Sequence, residues 1–221
     1  MFFFGLGLQY DDGIQTSVAI NANGDVVEVH RSQGNSGIWY RTGKTQEMNV
    51  NWSSSNNYDN GESPGVALND HGIVVEVHKS QSRSTIWYHV GKLSSGSIDF
   101  GKSHQYDNGV SPSIALDNTN WCVEVHKSQS NSGLWYRVGQ VNPDSKTINW
   151  GDSHKYDNGN DPQVCMNNNG TLVEVHKSQT YSTIWYHVGV IDKNNKRINW
   201  GLVTSTMMEY IQVLLSPTII L

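Results

Sequence analysis

An all-β fold built from four copies of one unit is predicted by two observations. The motif Glu-Val-His-Lys-Ser-Gln recurs with its glutamates at Glu28, Glu76, Glu124 and Glu174, spaced 48, 48 and 50 residues apart, and Arg31 replaces the lysine of the first copy. Segments rich in β-branched and aromatic residues repeat in step with it, and none carries a helical period. A repeat of this length means stacked supersecondary units, each too small to bury its own faces.

The second copy serves as the type. Tyr58-Asp59-Asn60-Gly61 has the chemistry of a turn, because Asn and Gly tolerate positive φ, and Pro64 cannot donate to a ladder. A short apolar strand follows at Gly65 to Leu68. The turn Asn69-Asp70-His71-Gly72 then leads to a β-branched strand from Ile73 to Lys79. A third strand runs from Ile86 to Val90 and a fourth from Ser97 to Gly101, where the other copies carry Trp52, Trp150 and Trp200 in place of Phe100. Four antiparallel strands in 48 to 50 residues describe a blade of a β-propeller. A two-sheet sandwich is the competing arrangement, but it needs no near-identical copies at a fixed period. The blades are expected at about residues 10–57, 58–105, 106–155 and 156–201. Alternating strand directions put the Tyr-Asp-Asn-Gly and Lys-Ser-Gln segments on one face of the ring. The variable turns, such as Lys92 to Gly96 and Gln140 to Lys146, fall on the other.

Both ends break the pattern. Aligned on Tyr10, Phe4-Gly5 takes the place that Phe100-Gly101 takes before Tyr106, as a fourth strand of a preceding blade would. After Trp200-Gly201 the repeat gives way to Leu202-Val203-Thr204. Translation one base out of register, with allowed codon choices, regenerates the opening of a fifth blade. Residues 202–221 therefore read as an out-of-frame tail, and the chain as an excerpt of a larger propeller. Exposed blade edges are then expected to self-associate, the alternative being closure into a four-blade ring. The apolar stretch Ile211 to Leu221 is too short to span a bilayer as a helix.

Composition narrows the partners. With 221 residues, 36% of them hydrophobic, the chain can form one all-β domain, and a formal charge of -5 leaves no basic footprint for nucleic acid. No signal peptide is recognisable at Met1 to Leu8, so both a secreted and a cytoplasmic location stay open. Cys122 and Cys165 align with aliphatic residues of the other copies and read as small buried hydrophobes.

The chemistry is repeated rather than unique. Glu76 and His78 share one strand face and are expected to lock neighbouring blades through a hydrogen-bonded network. No third ligand repeats at metal spacing, so neither a metal nor a cofactor is expected. Nucleophilic catalysis and glycan cleavage need one asymmetric constellation, so an enzyme is not expected either. Four near-identical polar and aromatic sets suit multivalent binding, and carbohydrate is the ligand class that fits. Aromatic rings stack on sugar faces while Asp, Asn, Gln and Lys bond hydroxyls. The candidate binding residues are Tyr58, Asp59, Asn60, His78, Lys79, Gln81 and Trp87, with their copies Tyr106, Asp107, Asn108, His126, Lys127, Gln129 and Trp135. Arg41 and Arg137 follow Trp-Tyr in copies one and three, where His89 and His187 stand in copies two and four. This alternation implies two classes of site between blades, and the arginines are further candidates. The alternative is a structural or protein-interaction propeller without a small-molecule ligand.

In repeat length, Trp-Tyr strand and turn motifs, residues 1 to 201 resemble bacterial β-propeller repeat proteins and, more loosely, β-propeller lectins. That resemblance implies sugar sites between adjacent blades and glycans or glycoconjugates as partners.

Overall fold

The computed structural model describes residues 7–201. Phe4-Gly5 and the tail from 202 to 221 lie outside the described residues. Four antiparallel sheets form in chain order. Sheet 1 holds β1 (Ile14–Ile20), β2 (Asp25–Arg31), β3 (Gly37–Gln46), β4 (Asn49–Trp52) and β5 (Asn56–Asn60). Sheet 2 holds β6 (Glu62–Leu68), β7 (Ile73–Lys79), β8 (Thr85–Ser94), β9 (Ser97–Phe100) and β10 (His104–Asn108). Sheet 3 comprises β11 (Val110–Leu116), β12 (Trp121–Lys127), β13 (Gly133–Asn142), β14 (Thr147–Trp150) and β15 (His154–Asn158). Sheet 4 comprises β16 (Asn160–Met166), β17 (Thr171–Lys177), β18 (Ile184–Asp192) and β19 (Arg197–Trp200). The first strands β1, β6, β11 and β16 pack side by side in sequence, so they line the axis and the sheets radiate from it as propeller blades.

One expectation is corrected. Tyr58-Asp59-Asn60 is not an entry turn. It lies in β5, which pairs with the near half of β3 while β4 pairs with the far half. The fourth strand of each of sheets 1 to 3 is thus one outer edge broken by a short excursion, such as Ser53 to Ser55. Pairing of Gly37 with Asn60 still brings this segment to the end where the Arg31-Ser32-Gln33 turn lies, so the shared face survives the correction.

Strand alternation supplies each sheet with two apolar faces, and the face of one mates with the opposite face of the next. Val123, Val125, Tyr136 and Val138 of sheet 3 meet Leu172, Ile191 and Ile198 of sheet 4, with Trp200 and Tyr156 packed at the rim. In the first three Trp-Tyr pairs the Tyr is the buried member. The Tyr40, Tyr88 and Tyr136 hydroxyls accept the backbone N–H of Ile98, Ile148 and Ile198 on the next sheet, at 3.3, 3.1 and 3.3 Å. The end-of-strand tryptophans stack on tyrosine, as in Tyr106–Trp150 at 5.0 Å between centroids.

Glycine after Tyr-Asp-Asn has a steric cause. A Cβ at Gly109 would sit 2.5 Å from His126 Cδ2 and 2.8 Å from the Lys127 carbonyl, and Gly13, Gly61 and Gly159 meet the equivalent histidines equally closely. The histidine ring can therefore lie flat against the chain of the preceding blade.

The terminal sheets each keep one face without a mate among the described residues. Val173, Val175, Tyr186 and Val188 of sheet 4 are exposed, whereas their counterparts Val123, Val125, Tyr136 and Val138 are buried. Val18 and Ile20 of sheet 1 are exposed where Val66 and Leu68 are buried. The same cause corrects the reading of Cys165, which is exposed on sheet 4, while Cys122 is buried as expected.

Candidate functional site

The repeat motif builds the floor of each blade junction. Glu28, Glu76, Glu124 and Glu174 are fully or almost fully buried, and each accepts the Nδ1–H of the histidine two residues on, at 3.0 to 3.2 Å. The Tyr156 hydroxyl donates to Glu174 Oε1 at 2.8 Å. Tyr58 and Tyr106 direct the same hydroxyl at Glu76 and Glu124 without meeting hydrogen-bond geometry. Burial and the adjacent carboxylate together push the Tyr58 and Tyr106 phenols well above their ordinary range. At His126, burial pulls the imidazole down, but the Glu124 carboxylate outweighs it and the net shift is upward.

Each histidine turns its other nitrogen toward an aspartate of the preceding edge. Asp59, Asp107 and Asp157 each commit Oδ1 to the next backbone N–H, at 2.7 to 2.8 Å, which leaves Oδ2 for the junction. What meets Oδ2 follows the alternation in the sequence. Arg41 Nε donates to Asp11 and Arg137 Nε to Asp107, both at 2.6 Å. In the other two copies His89 Nε2 lies 2.9 Å from Asp59, and His187 Nε2 lies 2.7 Å from Asp157. The arginine and histidine side chains share a second partner. Arg41 and Arg137 donate Nη1–H to the carbonyls of Ser53 and Gly151, and His89 donates Nδ1–H to that of Gly101. Burial opposes ionisation of Asp59, yet its bonds from His89 and the Asn60 N–H and the nearby His78 hold it down at about 2. For His89, burial acts downward, and the Asp59 bond, the Glu76 carboxylate and the Gly101 carbonyl together outweigh it, leaving the imidazole raised.

At Asp107, burial acts upward, and the Arg137 and Asn108 bonds outweigh it, so the carboxyl sits below its ordinary value of 3.8. A depressed folded value stabilises the protein above the unfolded value and loses that contribution as pH falls through the folded one. Stability is therefore expected to drop as pH falls below about 5, toward and through the depressed folded value, and to drop less in Asp107→Asn. Unfolding in urea across that range checks it.

Above this floor the junctions open into repeated pockets. One, of about 240 Å³, is lined by Asp59, Asn60, His78, Ser80, Gln81, Trp87 and Ser103. The next, of about 370 Å³, is lined by Asp107, Asn108, His126, Ser128, Gln129 and Trp135 among others. The sequence had proposed Asp59, Asn60, His78, Gln81 and Trp87 and their copies, and the structure brings them together. Six other candidates lie apart from the lining. Tyr58 and Tyr106 pack into the junction core. Lys79 turns away to Glu62 at 2.7 Å, and Lys127 turns to Asn160 at 2.7 Å. Arg41 and Arg137 are held in the floor by their aspartates. The lining also holds Ser80, Ser103 and Ser128, and the floor His89 and His187, none of which is among the candidates of the sequence analysis. The Arg/His alternation was the signal for the two histidines.

A cleft of about 590 Å³ lies at the other end of the first junction, among Asp25, Lys44, Trp52, His71 and Ser94 to Gly96. Its walls combine the variable turn at Ser94 to Gly96 with residues of the repeat such as Gly43 and Trp52.

No protein-family model and no curated protein sequence matches the chain. Solved structures with a similar fold include a K499G mutant of the NanB sialidase from Streptococcus pneumoniae, at 12% identity and a TM-score of 0.54 over 75% of this chain and 27% of that one. A family 117 glycoside hydrolase from Zobellia galactanivorans matches at 11% identity and 0.53, over 89% of this chain and 72% of that one. A candidate 6-phosphogluconolactonase from Bacteroides uniformis matches at 9% and 0.57, over 83% and 52%. The chain thus spans about a quarter of the sialidase and half of the lactonase-like protein. At these identities the likeness establishes the propeller fold. It also corrects the expectation that the chain is not an enzyme. That expectation rested on the fourfold repetition of one side-chain set, whereas the same fold carries hydrolases among these structures.

Proposed function

We propose that the protein binds carbohydrate multivalently, through the pockets that recur between its blades. The observation that carries this reading is the pairing of a half-buried indole with a fixed polar wall. Trp87 lies beside Asp59, Asn60, His78 and Gln81 in one pocket, and Trp135 beside Asp107, Asn108, His126 and Gln129 in the next. An indole face suits the C–H face of a pyranose, and the amide and carboxylate groups suit its hydroxyls. Each pocket is shallow and its intrinsic affinity modest, so repetition along the arc supplies avidity for a branched or polymeric glycan. The carbohydrate-active proteins that share the fold support the ligand class. Titration with a panel of monosaccharides and multivalent glycans tests it. A folded chain that binds none would favour a structural or protein-interaction role.

We also propose that the chain associates with copies of itself, through apolar faces rather than hydrogen-bonding edges. The free face of sheet 4 repeats the faces that sheets 1 to 3 mate internally, and Val18 and Ile20 of sheet 1 offer the complementary pattern. Such a contact is heterologous and joins blade four of one copy to blade one of the next. Light scattering should give a mass above that of one chain, and Val175→Asp should reduce it to that of one chain. A strict monomer at high concentration contradicts the reading.

A further inference from the structure

The Arg/His alternation leaves two junctions in a different chemical state from the rest. Where arginine is present, a permanent cation fills the space between the aspartate Oδ2 and the neighbouring imidazole, as at Asp107 with His126 and Arg137. Where histidine replaces it, three ligand atoms converge on that space. His89 Nε2 and His78 Nε2 lie 2.9 and 3.8 Å from Asp59 Oδ2, and His187 Nε2 and His176 Nε2 lie 2.7 and 3.7 Å from Asp157 Oδ2. In each trio all three atoms fall within 4.8 Å of one another.

Orientation matters as much as proximity. A carboxylate and a carbonyl can only accept, so Glu76 fixes the proton of His78 on Nδ1 and the Gly101 carbonyl fixes that of His89 on Nδ1. Glu174 holds His176 in the same way. The Nε2 atoms of His78 and His89 therefore both face the carboxylate oxygen, and the 2.9 Å contact of His89 with it needs a positive centre, either a second imidazole proton or a bound cation that displaces that proton. An imidazole whose far N–H is anchored on a carboxylate or carbonyl is the arrangement that orients metal-bound histidines. A cation about 2.1 Å from each ligand atom holds those atoms about 3.0 to 3.4 Å apart, so His89 is already placed and His78 needs to close by about 0.4 Å. Two imidazoles and one carboxylate suit a borderline divalent ion and not calcium or magnesium, which take oxygen ligands.

We propose that Asp59, His78 and His89, and again Asp157, His176 and His187, form two sites for a divalent transition-metal cation of the zinc type. The sequence reading found no third ligand because it looked within one motif. The third ligand comes from the outer edge of the preceding blade. The inference stands apart from the sugar reading and does not require it.

Calorimetric titration of the untagged chain with Zn²⁺, and visible absorption with Co²⁺ as a probe of coordination, test the sites. Two equivalents are expected to bind. His89→Arg installs the residue that blades one and three carry and is expected to leave one equivalent, and the double substitution with His187→Arg none. The same Zn²⁺ should raise the melting temperature of the original chain and leave that of the double variant unchanged. Should an arginine variant fail to fold, His89→Gln and His187→Gln replace it, with the same expected losses. Absence of binding by the original chain, or binding that persists in the double variant, overturns the proposal.

Discussion

Replacing Glu124 with alanine is expected to destabilise the protein by about 3 to 5 kcal/mol. Glu124 is fully buried, and His126 beside it is buried too and raised toward its charged form by that carboxylate. Removal of the carboxylate leaves the imidazole Nδ1–H without an acceptor at 3.0 Å, and it opens a void behind the Tyr106 hydroxyl, which faces the same group. For a domain of this size the loss corresponds to a fall of roughly 10 °C in melting temperature. Glu124→Gln keeps the shape and one acceptor and should cost less. Urea unfolding of both variants measures the difference. A loss within about 0.5 kcal/mol, the range of ordinary surface substitutions, would remove the Glu-His pair from its place as the lock between blades.

The second large effect is expected from Trp87→Ala combined with Trp135→Ala. Both indoles line the junction pockets, and neither belongs to the packed clusters between the sheets, where Tyr88 and Tyr136 serve instead. Folding should therefore be retained while sugar binding falls. Loss of a central aromatic contact costs about 2 kcal/mol, or roughly 30-fold in intrinsic affinity per site. A multivalent glycan should lose more than a monosaccharide, because each weakened site also reduces the avidity of the others. Glycan titration of the folded variant, with circular dichroism as the folding check, gives the comparison. Unchanged binding would place the sugar elsewhere.

Much of this architecture was legible because repetition multiplies each weak local signal. The β7 strand was read at Ile73 to Lys79 and forms there, since Val-rich alternation and the flanking Asn69-Asp70-His71-Gly72 turn agree on its limits. Tyr58-Asp59-Asn60 was misread for a physical reason. Asn and Asp favour turns locally, but pairing with Gly37 and Ile38 holds them extended and tertiary context overrides propensity. The site was legible as far as residue type and face decide it, which covers Asp59, Asn60, His78, Gln81 and Trp87. Lys79 looked equivalent in sequence, but Glu62 opposite it in the ladder captures its charge. Nor could spacing within one motif show that Asp59 and His89, 30 residues apart, meet across a blade junction.

The crystal structure of the chain soaked with a panel of monosaccharides tests the central claim most directly. A sugar ring stacked on Trp87 and on Trp135, with hydroxyls bonded to Asp59 or Asn60 and to Asp107 or Asn108, is the expected result. Well-ordered, accessible pockets that stay free of sugar at saturating concentrations, or a sugar bound only in the cleft beside Trp52 and His71, would contradict it.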